Sequence, residues 1–97
     1  MIWRIEFHPE ARAEALEAEA WYSERDASVG TAFTAALEHA VDAIADAPRA
    51  WPPHGEGTRR RLLKRFPYGV VYRILADHVQ VIAVAHQRRR PGYWRGR

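Results

Sequence analysis

A chain of 97 residues holds one compact core but not two, and its 47% hydrophobic and 28% charged content is ordinary globular usage that argues against wholesale disorder. Cysteine is absent, which excludes a disulfide framework and any thiolate metal site. The histidines at 8, 39, 54, 78 and 86 form no pair at helical metal-motif spacing, so the composition asks for no metal and no cofactor. No long apolar run follows Met1, so neither a signal peptide nor a membrane span is expected and the cytoplasm is the default location. The modest net charge of +3 conceals a sorting by position. Residues 1–57 carry four basic residues (Arg4, Arg12, Arg25, Arg49) against eleven acidic ones, whereas residues 58–97 carry eleven basic residues against Asp77 alone. Such a field favours polyanions or an acidic protein segment as partners.

Trp3, Ile5 and Phe7 alternate with Ile2, Arg4 and Glu6, the two-residue period of a short strand. His8-Pro9-Glu10 then opens a helix, because proline needs no donor in the first turn and Glu10 suits the positive end of the dipole. This helix runs to about Arg25, with Ala13, Leu16 and Ala20 sharing one face. Asp26 or Ser28 caps a second helix, in which Phe33, Leu37, Ala40, Val41 and Ile44 recur at three- and four-residue steps until Pro48 stops it. Residues 48–58 read as a loop punctuated by proline and glycine. Beyond it β-branched and aromatic content rises, which predicts strands at 60–64, 68–75 and 78–85, the last two joined across Ala76-Asp77 by a tight turn. The expected domain, spanning 1–97, is α+β in the order β-α-α-β-β-β, with a helical hairpin on one face of an antiparallel sheet. Phe33, Leu37, Ile44, Leu16, Val71 and Val81 are the expected core.

Several segments carry a family resemblance. Trp21-Tyr22 ends the first helix, Phe33 starts the second, and Arg65-Phe66-Pro67-Tyr68-Gly69-Val70-Val71-Tyr72-Arg73-Ile74 leads into and covers the strand expected from Tyr68. The chain closes with His86-Gln87-Arg88-Arg89-Arg90-Pro91-Gly92-Tyr93-Trp94. Together with the element order, these segments resemble the RelE/ParE superfamily of type II toxins, in the branch of the plasmid stabilisation proteins. The resemblance implies a small toxin that inhibits growth and is neutralised by a cognate antitoxin. It leaves two molecular targets open. ParE-like members poison DNA gyrase by binding it, and RelE-like members cleave mRNA, mostly on the ribosome. A third reading, a nucleic-acid or acidic-protein binding module, explains the charge but not the paired signatures.

Cleavage of RNA without a metal requires a base for the ribose 2′-hydroxyl, cations for the charge growing on the phosphorus, and an acid for the leaving oxygen. His86 and Tyr93 are the proton carriers available beside the cations, and Arg89 would supply charge stabilisation. For target or antitoxin binding the candidates are Arg59, Arg60, Arg61, Arg65, Arg88, Arg89, Arg90 and Trp94, since guanidinium forks and aromatic rings grip polyanions and acidic side chains. Each has a plainer role. His86 can simply bond the backbone at a strand end, Trp94 can cap the core, and in a strand the run Arg59-Arg60-Arg61 must divide between two faces. Gly69 stands where RelE-like nucleases carry a catalytic arginine, and Leu62 where they carry a second strand lysine, so their mechanism does not transfer whole. The acids at Glu10, Glu14 and Glu17 read most simply as a solvent face.

Overall fold

The computed structural model describes residues 2–97 and has the element order β1 (Ile5–Phe7), α1 (Pro9–Arg25), α2 (Ala27–Asp46), β2 (Arg59–Leu62), β3 (Tyr68–Ile74) and β4 (Val79–His86). Local chemistry sets the helix ends. His8 caps α1, its Nδ1 accepting from the Glu10 amide at 3.1 Å, with Pro9 in the first turn. Asp26 serves both helices: its amide closes α1 on the Tyr22 carbonyl at 3.0 Å, and its carboxylate accepts from the Ser28 amide at 2.9 Å to open α2. One residue between helices forces a sharp reversal. The hairpin then closes tightly at Gly30, where an added Cβ would lie 1.8 Å from the Ser23 hydroxyl oxygen.

The four strands form one sheet in the order β1-β4-β3-β2. β2, β3 and β4 are antiparallel neighbours, as expected, but β1 lies parallel to β4, with Ile5 opposite Val79 and Phe7 opposite Val81, so the sheet is mixed rather than purely antiparallel. The chain leaves β1, passes through the helical hairpin and two further strands, and returns beside it in the same direction. Because β1 ends at Phe7, β4 has no neighbouring strand on that side beyond Val81. A bulge opposite Val71 and Tyr72 falls at this place. It turns both Ile82 and Ala83 to the face away from the helices and restores Val84 to the helix side.

The main core lies between the helices and the sheet, with Phe33, Ile44, Tyr72, Val79 and Val81 fully enclosed. A second, smaller cluster on the opposite face joins Val71, Ile82, Ala83 and Trp94. Leu37 is half-buried against the main core. Leu16 is the exception to the expected core, because it is 63% exposed. The face of α1 that packs inward carries Ala11, Ala15, Ala18 and Tyr22, and small side chains there bring the helix close to β4. The signature aromatics of the sequence converge. Tyr22 stacks on Phe33 at 5.4 Å between centroids, and Phe66 and Tyr68 meet Phe33 edge-on at 5.4 and 5.3 Å. These residues therefore fix how the helical hairpin sits on the sheet, an arrangement that such ring pairs favour beyond simple area burial.

Candidate functional site

The C-terminal segment after β4 folds back across the face of the sheet opposite the helices. Trp94 is only 5% exposed there, over Val71, Ile82 and Ala83, with the His54 ring 6.2 Å away. Around it stand Arg60, His86, Arg89 and Arg90, which together with His54 and Tyr93 line a small cleft of about 50 Å³ that contains no carboxylate. His54 is held below the usual imidazole range, first by burial and then by the charge of Arg60. His86 accepts the Arg88 amide on Nδ1 at 3.0 Å, which leaves its proton on Nε2, and its ring meets Tyr68 edge-on at 5.1 Å. Arg89 lies 3.8 Å from the centre of the Tyr93 ring. Arg88 and Arg90 are exposed.

Tyr93 is bound into a network centred on Glu14 of α1. The Glu14 carboxylate accepts from the Tyr93 hydroxyl at 2.7 Å, from the Val84 amide at 3.0 Å, and from two nitrogens of Arg97 at 2.9 and 3.1 Å. Arg97 also donates to the Ile82 carbonyl at 3.1 Å. Together the two side chains satisfy backbone groups of β4 just where β1 has ended. Burial, reinforced by the Glu14 bond and charge, raises the Tyr93 hydroxyl well above its ordinary range. A phenol held in this way keeps its proton.

The three arginines of β2 divide between the faces of the sheet. Arg60 lies on the Trp94 side, and its stem runs across Gly69, where an added Cβ would meet Arg60 Cδ at 3.1 Å. Arg59 and Arg61 lie on the helix side. Arg59 donates to the Trp51 carbonyl at 2.6 Å, and the Arg61 guanidinium sits 4.5 Å from the centre of the Trp51 ring. Arg61, Lys64 and Arg65 form the cationic wall of a groove of about 290 Å³ whose floor is Ala32, Ala35, Ala36 and His39 of α2. Arg65 holds a left-handed backbone in the turn between β2 and β3, with φ 67°.

The expected site residues thus fall into two groups. Arg60, His86, Arg89, Arg90, Tyr93 and Trp94 gather around the folded-back tail, while Arg59, Arg61 and Arg65 belong to the α2–β2 side and Arg88 stands apart from both cleft linings. Glu14, His54 and Trp51 were not legible as site residues. Glu14 follows the same helical spacing as its exposed neighbours, and no local signal marks a partner 83 residues away.

The sequence matches the family described as ParE toxin of type II toxin-antitoxin system, parDE, over residues 5–91. The chain belongs to the ParE toxin family. In fold this toxin is similar to a chain solved as the chromosomal ParDE TA system from P. aeruginosa, with a TM-score of 0.76 at 13% identity, covering 88% of the toxin and 96% of that chain. No curated protein matches the sequence. Family membership makes the toxin one half of a type II pair whose other half is a cognate antitoxin. Among the described residues no helix is long and apolar enough to cross a membrane, and no three His, Asp or Glu side chains converge as a metal-ligand group.

Proposed function

We propose that the toxin arrests growth by binding DNA gyrase, without covalent chemistry of its own, and is neutralised by an acidic or amphipathic antitoxin segment in the cytoplasm. The observation that carries this reading is the state of the sheet face on which a superfamily nuclease would assemble its site. Trp94 is packed there, the Tyr93 hydroxyl is committed to Glu14, and Gly69 offers no side chain where the Arg60 stem crosses it. Of the expected set, the Tyr93 hydroxyl is thereby withdrawn as a proton carrier, and the position of the nuclease arginine carries no cation. The exposed cations Arg88, Arg89 and Arg90 beside this face are then contact residues for the target.

The antitoxin segment is best accommodated by the groove between α2 and β2. Its alanine floor accepts apolar side chains, and Arg61, Lys64 and Arg65 along its rim would attract acidic ones. β2 is also one of the two edge strands of the sheet, its start bridged to the preceding loop at Pro53.

A second reading, a ribosome-dependent mRNA interferase, is favoured by one observation: His54, His86, Arg60, Arg89 and Arg90 share a cleft without a carboxylate. In that case His86 and Arg89 would act as proton carrier and charge stabiliser. Inducing the toxin without antitoxin, then following plasmid supercoiling and mapping RNA 5′ ends in the same cells, separates the two. Loss of supercoiling with intact messages is the expected outcome; new RNA ends with normal supercoiling would overturn the proposal.

A further inference from the structure

The acidic half of the chain presents a surface of its own. α1 exposes Leu16 and Trp21, at 63% and 51%, next to a groove of about 360 Å³ formed by α1, the start of β3 and the end of β4. Trp21, Tyr22, Tyr68 and His86 give this groove an aromatic lining, with Glu14 and Glu17 on the helix wall and Arg89 on the opposite side. Glu14 is spent on Arg97, Tyr93 and the Val84 amide, whereas Glu17 has no hydrogen-bond or ion-pair partner among the described residues. Glu10, Glu17 and Glu24 recur every seven residues, so the exposed face of α1 bears a line of negative charge beside its apolar residues. One face of the Trp21 ring already holds the Arg25 guanidinium, 3.5 Å from its centre, so an incoming cation would meet the part of the ring that lines the groove.

We infer that the exposed face of α1, with the groove beside Glu17 and Trp21, is a second protein-docking surface, and that it takes an arginine presented by a basic protein segment. Aromatic faces and a carboxylate are the two elements that recognise a guanidinium, one through the ring quadrupole and the other through paired N–H donors. A half-exposed tryptophan and leucine beside an unpaired charge are the features of an interface anchor rather than of a solvent face. Arg89 confines the cation to the Glu17 end of the groove by repulsion. The toxin is then bipolar: its basic side takes the acidic antitoxin, and its acidic helix remains open to a basic partner. The groove shares His86 and Arg89 with the cleft beside Trp94, but Glu17 and Trp21, on which the inference is tested, enter neither reading of the target.

The test is a titration of the folded toxin with a capped Gly-Arg-Gly-Arg-Gly peptide, followed by ¹H–¹⁵N spectra in which the indole of each of the four tryptophans is observed. The indole signal of Trp21 should shift saturably, and those of Trp3, Trp51 and Trp94 should not. Replacing both arginines by citrulline, or Glu17 by glutamine (Glu17→Gln), should weaken binding about fivefold. Glu38→Gln on α2 should leave it unchanged. An unmoved Trp21, or equal shifts from the citrulline peptide, would overturn the inference. So would a stronger response to a matching glutamate peptide, which would assign the groove to Arg89 and an anion.

Discussion

Glu14 and Arg97 hold the two ends of this fold together: the guanidinium meets the carboxylate through two nitrogens, at 2.9 and 3.1 Å, with both side chains about 85% buried. For Arg97 burial works against the charge, but the Glu14 bond and charge outweigh it and raise its proton affinity further. Removing one partner strands the other beside the Val84 amide and the Ile82 carbonyl. Glu14→Ala should therefore cost about 3 kcal/mol, or a fall in Tm of roughly 12–20 °C. Arg97→Lys, which keeps the charge but loses the planar fork, should cost about half as much. Thermal unfolding of both variants and of the double variant gives the coupling directly. Additive losses would show that the pair is not one unit.

Arg65 allows charge to be separated from stability. A non-glycine residue at φ 67° carries backbone strain, so Arg65→Gly should leave Tm unchanged or slightly higher while removing one cation from the groove rim. The antitoxin's association rate should fall by about two- to fivefold in low salt, and the difference should vanish at high salt. Stopped-flow association measured across ionic strengths checks this. A rate indifferent to both the substitution and salt would place the antitoxin elsewhere.

Stability should fall steeply at alkaline pH. Tyr72 donates to the Pro48 carbonyl at 2.6 Å in the core, and burial, opposed weakly by the charge of Arg59, raises its hydroxyl to about 12. Tyr93 is raised as well, by burial and then by Glu14. Folded-state values above the unfolded value of about 10 mean that the contribution is complete below pH about 10 and is lost as pH rises toward 12. Tyr72→Phe should cost about 1 kcal/mol at neutral pH and flatten the alkaline limb of a urea-unfolding series. At the acid end the sign is reversed. The Ser28 hydroxyl and amide hold Asp26 below the usual carboxylate range, so that helix junction weakens as pH falls through the Asp26 value.

Much of this architecture was legible in the sequence because its cues are local. Periodicity located both helices and β1, β-branched and aromatic content located the other three strands, each to within a few residues, and of the two expected caps, Asp26 and Ser28, the first stands at the junction. The failures have long-range causes. Leu16 belongs to an apolar stripe as regular as the buried one, but the inner face of α1 is built from small alanines, and only the close approach to β4 decides between the stripes. The direction of β1 depends on where the chain returns, which three residues of strand cannot specify. The alternation of Arg59, Arg60 and Arg61 between faces followed from strand geometry, and core-capping was the plainer role expected of Trp94, whereas the Glu14 network required the folded tail.

The central claim, toxicity by binding gyrase without proton transfer, is tested most directly by titrating the purified toxin into a gyrase supercoiling reaction, beside a parallel ribosome-bound mRNA reaction. The account predicts that supercoiling is inhibited with equal potency by the toxin and by His86→Ala, that Arg89→Ala is weaker, and that the mRNA stays full length. Unimpaired supercoiling with cleaved mRNA, and loss of that cleavage in His86→Ala, would contradict it.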